Sequence, residues 1–261
     1  MCFPPISNHQ INIVLIKDSA DIDNMLVSWC LEKLSGRERE KYARFHFDKD
    51  RRLYMLSRVL LRYSLAAYIK CDPNEITFGV EAFGKPFLKN NSNVKFNLTH
   101  SNGVAAVAIG VADGVDIGID IESTESDNDF LDMGLRHFSP EECSLLKNCR
   151  KDQQKALFYK LWTLKEAYIK AIGKGLSIDL NSFAFDISGD RITVRHHENE
   201  IGDKTDWHFM QARVYARHIV AIAVRGQSGL REGHHFQAFD YCPGGLCRPL
   251  ILKDAVYSDN G

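Results

Sequence analysis

Two stretches of this chain leave little choice but helix. Leu53–Ile69 and about Gln153–Ile172 each run without a Gly or Pro. The first repeats Leu56, Leu60, Leu61 and Leu65 on one face, the second Leu157, Leu161, Leu164, Tyr168 and Ile172, the three-and-four spacing of an amphipathic helix. Each is followed by short β-branched or apolar runs that read as strands. These are Val94–Leu98, Val104–Ile109 and Val115–Ile121 after the first, and Ser182–Ile187, Phe209–Tyr215 and Ile219–Val224 after the second. Turn residues such as Ser101-Asn102-Gly103 and Asp113-Gly114 separate them. An apolar helix stripe must be covered, and a sheet made of such strands can cover it. The order of helix, loop and strands occurs twice, and Ala-Tyr-Ile-Lys recurs at Ala67–Lys70 and Ala167–Lys170. Two similar α/β halves meeting near residue 115, with a site between them, are therefore expected. A strand at Ile11–Ile16 and a helix from Ile22 to Leu34 precede the first long helix. Ser139-Pro140-Glu141-Glu142 has the form of a helix start. After Arg225 the pattern gives way to a Gly-rich, polar tail.

Composition narrows the class. Of 261 residues 44% are hydrophobic and 26% charged, a globular mixture with enough apolar side chains for a core. The formal net charge of −1 gives no overall basic field, so nucleic acid is not expected as a partner. No run reaches the roughly 20 apolar residues a membrane helix needs, and the first residues show no secretory signal. A soluble, cytoplasmic protein is expected. Seven cysteines, odd in number and without a C-x-x-C pair, fit neither a disulfide framework nor a zinc site. The doublets His196–His197 and His234–His235 lie in polar stretches and read as surface residues.

The chemistry gathers in four short segments. In Gly118-Ile119-Asp120-Ile121-Glu122 the two carboxylates lie two apart on a strand and share a face, with Ile117, Ile119 and Ile121 on the other. Two like charges so placed favour a hard cation such as Mg²⁺ between them, although an acidic strand face alone would look the same. On the second long helix Phe158, Trp162, Glu166 and Lys170 form a row four apart, with Lys165 beside it. A third carboxylate next to two lysines suits a metal–phosphate centre, the lysines neutralising a departing phosphate. Glu166 and Lys170 also suit a plain solvent-side pair. Lys85 stands between Gly84 and Pro86 in a turn, and Thr99 and His100 end a strand just before one.

Read together, the segments Gly84–Pro86, Asn97–Ser101, Gly118–Glu122 and Trp162–Leu176 resemble the 4′-phosphopantetheinyl transferases of the Sfp type. Those enzymes show a GKP turn, an N-[IL]-[ST]-H-S segment, a GIDIE strand and a W-x-x-K-E-[AS]-x-x-K-x-x-G-x-G-L helix. The resemblance spans about residues 34 to 225. It implies an α+β fold, a pseudo-twofold pair of α/β halves, each a long helix on a small, mainly antiparallel sheet. The divisions would be 1–115, 116–225 with the metal and catalytic carboxylates, and an extension at 226–261. Coenzyme A and Mg²⁺ would lie between the halves. The implied reaction moves the phosphopantetheine arm of coenzyme A to a serine of an acyl or peptidyl carrier protein, releasing adenosine 3′,5′-bisphosphate.

By motif match Asp120, Glu122 and Glu166 would hold Mg²⁺, with Glu166 the base for the serine and Asp120 and Lys170 catalytic beside it. Lys165 and Lys170 would contact the pyrophosphate, His100 a phosphate with Thr99 nearby, and Lys85 the adenosine or its 3′-phosphate. Glu142 matches the acidic position of the family's F-S-x-x-E element. Lys41 fits one 3′-phosphate position and Arg52, or Arg51 one residue earlier, lies near the arginine position, whereas Glu38 stands where the family often has a lysine. A monomer is expected, since one chain carries both halves. Two other readings are a coenzyme A or carrier-binding module without catalysis and a phosphotransferase using a free nucleotide. The candidate base argues against the first, and the lack of a Walker-type glycine loop against the second.

Overall fold

A computed structural model describes residues 6, 10–19, 22–89, 93–111, 115–125, 129–189, 191–196, 207–226, 235–242 and 246–258. Cys2, the Asp113-Gly114 turn, His197 and His234 lie outside them. In chain order the first elements are β1 (Gln10–Lys17), α1 (Asn24–Glu32), α2 (Gly36–Ala43), α3 (Asp48–Ile69), β2 (Phe78–Val80), β3 (Pro86–Leu88), β4 (Val94–Ser101) and β5 (Val104–Val111). There follow β6 (Asp116–Ser123), α4 (Phe130–His137), α5 (Pro140–Asn148), α6 (Lys151–Ile172), β7 (Phe183–Asp186), β8 (Thr193–His196), β9 (Trp207–Val214) and β10 (His218–Arg225). The last are β11 (His235–Cys242), β12 (Leu246–Pro249) and β13 (Lys253–Tyr257). The fold is α+β. None of the described helices is long and apolar enough to cross a membrane.

The chain divides into two compact units. The first comprises Met1–Val80, Pro86–Asp113 and His235–Ile251, the second Glu81–Lys85, Gly114–His234 and Leu252–Gly261.

In the first unit five strands lie in the order β12-β11-β1-β5-β4. β1 runs antiparallel to β5 and parallel to β11, with Ile11 opposite Phe236 and Ile13 opposite Ala238. A parallel neighbour needs a long crossover, and here the partner arrives from the far end of the chain. α3 lays Leu56, Val59 and Leu60 against Val14, Ile16, Val107 and Ile109, and this is the unit's core. Asp48 and Asp50 suit the positive N-terminal end of α3. β2 and β3 form a separate hairpin.

In the second unit four strands lie in the order β13-β9-β10-β6, and α6 packs on them through Leu161, Leu164, Ala167 and Tyr168. Of the stripe read from the sequence, Leu161, Leu164 and Tyr168 are buried and Leu157 and Ile172 partly so, while Phe158, placed on another face, is buried as well. Gly173, at φ 77°, ends α6 in the left-handed turn that glycine favours. α5 begins as expected, with Pro140 in its first turn and Ser139 and Glu142 closing a capping box. β7 and β8 pair as a small second sheet. The tail after Arg225, which showed no pattern in sequence, contributes β11 and β12 to the first unit and β13 to the second.

Candidate active site

The site is built where α6 crosses β6, both in the second unit. Gly118 faces the helix so closely that a Cβ there would stand 1.9 Å from the carbonyl oxygen of Ala167 and 2.4 Å from the amide nitrogen of Ala171. A glycine inside a strand marks such a close backbone approach. Asp120, two residues on and on the same face, is thereby carried under α6 and is 3% exposed. Lys170 reaches down from the helix and donates to Asp120 Oδ1 at 2.5 Å and to the carbonyl of Ile119 at 3.3 Å. One turn earlier, the half-buried Glu166 carries a carboxyl raised above the usual carboxylate range. Burial is the main cause, Asp120's charge adds to it, and Lys170 partly offsets both. Two carboxylates and an ammonium thus act on one another across a single helix–strand contact. Glu122, half-buried, follows on the same strand.

The side chains expected to bind metal are oxygen donors only, the chemistry a hard divalent ion requires. Asp120 adds to the cost of ionising Glu166, a cost that a cation between them would relieve. The donor set therefore fits Mg²⁺ in kind. Among the described residues no three His, Cys, Asp or Glu side chains are drawn together closely enough to hold a metal ion, and Lys170 supplies the counter-charge to Asp120.

Lys85 lies in the turn counted with this unit. Its ammonium donates to the carbonyl of Ala171 at 2.7 Å, at the negative C-terminal end of α6. Trp162 stacks on Phe158 at 5.6 Å between ring centres and belongs to an aromatic cluster with Phe138 and His137.

Lys165 is placed apart from Lys170 in the structure. It was expected at the pyrophosphate with Lys170, and it is 0% exposed. Its ammonium is ion-paired to Glu142 Oε2 at 2.8 Å and donates to the carbonyls of Leu180 and Phe183, both at 2.6 Å. The reason is its place on the helix, about 100° round from Glu166, on the side that faces α5 and β7. Arg52, expected near the 3′-phosphate, is paired within the first unit. Its guanidinium grips Asp18 through Nε and Nη2, with a shortest distance of 2.7 Å, and does not present an open fork to a ligand. Lys41, also in the first unit, is exposed and holds its ammonium 5.3 Å from the centre of the Tyr54 ring. Thr99 and His100 lie just before the end of β4 in the first unit, Thr99 buried and His100 exposed.

Reading the sequence alone missed the Glu142–Lys165 contact and the part played by Gly118. A glycine in the middle of an isoleucine-rich strand was the available signal for the latter.

Residues 116–223 match the family model described as the 4′-phosphopantetheinyl transferase superfamily. Residues 24–111 match the one described as 4′-phosphopantetheinyl transferase, N-terminal. Among curated relatives, a 4′-phosphopantetheinyl transferase of Bacillus subtilis is 38% identical over 60% of this chain and 68% of its own length. The 4′-phosphopantetheinyl transferase Sfp of Bacillus subtilis strain 168 is 36% identical over the same shares. The human L-aminoadipate-semialdehyde dehydrogenase-phosphopantetheinyl transferase is 28% identical over 78% of this chain and 72% of that one. The chain belongs to the 4′-phosphopantetheinyl transferase family.

Proposed function

We propose that this protein transfers the 4′-phosphopantetheine arm of coenzyme A to a serine hydroxyl of an acyl or peptidyl carrier protein, with Glu166 as the base. The observation that carries the assignment is the contact at Gly118, which sets Glu166, Asp120 and Lys170 together. The serine oxygen attacks the phosphorus bearing the pantetheine arm, and its proton passes to Glu166, directly or through one water. The bond from that phosphorus to the bridging oxygen breaks, and adenosine 3′,5′-bisphosphate leaves. A carboxyl raised above the usual carboxylate range is a better-matched base than an ordinary one. Lys170 and Lys85 would supply positive charge to the phosphates, where positioned charge is most of what a protein contributes. Asp120, Glu122 and Glu166 would hold Mg²⁺, which when bound supplies further positive charge to the pyrophosphate. Thr99 and His100 are proposed as phosphate contacts and Lys41 as a 3′-phosphate contact. The protein is proposed to act as a cytoplasmic monomer.

The test is transfer to an apo carrier protein by Asp120→Ala and Glu166→Gln, with folding checked by circular dichroism. Both are expected to fold and to lose transfer. A folded Glu166→Gln enzyme with undiminished turnover removes Glu166 from the role of base.

A further inference from the structure

The two units anchor their long helices by the same device. Ser35-Gly36-Arg37-Glu38 and Ser139-Pro140-Glu141-Glu142 are both capping boxes, 104 residues apart. In each the glutamate does more than close the box: it is buried and ion-paired to the long helix of its own unit. Glu38 meets Arg58 at 2.8 Å and Arg62 at 2.9 Å, and Glu142 meets Lys165 at 2.8 Å. Arg62 lies 14 residues beyond Asp48, the first of α3, and Lys165 lies 14 beyond Lys151, the first of α6. The Ala-Tyr-Ile-Lys repeat is out of step by comparison, since α3 ends at Ile69 inside the first copy and α6 continues to Ile172 beyond the second.

In the second unit the clamp is closed on every side. An ammonium has three N–H bonds, and Lys165 directs them to Glu142, the carbonyl of Leu180 and the carbonyl of Phe183. Glu142 Oε2 also accepts from the amide of Ser139 at 3.0 Å, and Oε1 accepts from the amide of Phe185 at 2.9 Å. One buried point thus ties α6 to the start of α5, to the turn at Leu180 and to β7. A pair this deeply buried cannot slide apart without stranding a charge in the interior. The next residue along is Glu166.

We propose that Glu142 and Lys165 are a positioning pair for the transfer: they fix the rotation of α6 about its axis and so the direction in which Glu166 meets Asp120. The side chains of a helix reach about 5–6 Å from its axis, so a rotation of roughly 10° moves the Glu166 carboxylate by about 1 Å. A displacement of that size can lower a rate by about 10²-fold. This inference rests on phosphopantetheinyl transfer with Glu166 as base.

The test uses the full chain with Lys165→Met, Glu142→Gln and the double variant, at a temperature where circular dichroism shows each folded. Turnover and KM are measured with fluorescent coenzyme A and an apo carrier protein, and coenzyme A affinity by calorimetry. Positioning predicts that turnover falls about tenfold or more in both single variants. It predicts unchanged KM and unchanged affinity for coenzyme A. The double variant, which leaves no lone charge inside, should lose no more than Lys165→Met does. A purely structural pair would lower the melting temperature and leave turnover of the folded enzyme as it was, which overturns the proposal. Weaker coenzyme A binding in Lys165→Met with Glu142→Gln unaffected also overturns it, by assigning Lys165 to the pyrophosphate. Should Lys165→Met not fold, Glu142→Gln and the double variant decide the matter. A wild-type chain that transfers nothing removes the functional reading and this one with it. An active wild type with equally active single variants removes this one alone.

Discussion

Replacing Gly118 by alanine adds one methyl group where the structure has no room for it. The new Cβ would stand 1.9 Å from the Ala167 carbonyl oxygen, whereas ordinary contact begins at 3.4 Å. The clash is between two backbones, so no side-chain rotation relieves it, and α6 must retreat by about 1.5 Å, the difference between those distances. Forcing extra volume into a packed contact typically costs about 1–3 kcal/mol, and this site belongs at the upper end because neither partner is flexible. The catalytic consequence should be larger than the loss of stability. Glu166 and Lys170 travel with α6, whereas Asp120 stays on β6. A misplacement of about 1 Å can cost about 10²-fold in rate, so Gly118→Ala should lose at least that much turnover while most of it remains folded. Transfer from fluorescent coenzyme A to a carrier, measured beside urea unfolding, reads both quantities. Turnover within a few-fold of wild type would refute the claim that this contact sets the site.

Two further predictions follow from buried carboxylates. Burial alone would raise Glu38, but Arg58, the Ser35 amide and Arg62 together outweigh it and hold its carboxyl below the usual range. A depressed carboxyl stabilises fully above its ordinary value and loses that contribution as pH falls through its folded pKa. Glu38→Gln should therefore unfold more readily than wild type at pH 7, by about 3–5 kcal/mol if both arginines are left unpaired, with a gap that narrows in acid; equal gaps at pH 7 and pH 3 in denaturant titrations would contradict this. Glu166 has the opposite sign, since burial and Asp120 raise its carboxyl and ionising it costs the folded state. Glu166→Gln should accordingly melt higher than wild type at neutral pH and alike at pH 4, while losing transfer; a lower melting temperature at pH 7 would count against it.

What could be read from the sequence was whatever repeats locally. α3 and α6 announced themselves through apolar spacing and freedom from Gly and Pro, and β6 through alternating isoleucines. The capping box at Ser139 and Glu142 was equally plain, because its partners lie three residues apart. What escaped depended on distant partners. β11 carries both Gln237 and Asp240 and shows no clean alternation. It becomes a strand by pairing with β1, more than two hundred residues earlier, where Gln237 bonds Gln10. Lys165 and Lys170 look alike in sequence, each a lysine near Glu166. Only the packing of α5 and β7 on one side of α6 and of β6 on another sends the first into a buried ion pair and the second to Asp120. Arg52 escaped for the same reason, its partner Asp18 lying 34 residues away.

The most direct measurement of the central claim is transfer itself. The purified chain would be incubated with fluorescent coenzyme A and a panel of apo acyl and peptidyl carrier proteins, with Mg²⁺ and with EDTA. The account predicts label on the serine of at least one carrier, only with Mg²⁺, together with release of adenosine 3′,5′-bisphosphate. Coenzyme A binding without label on any carrier, or label undiminished by EDTA, would contradict it.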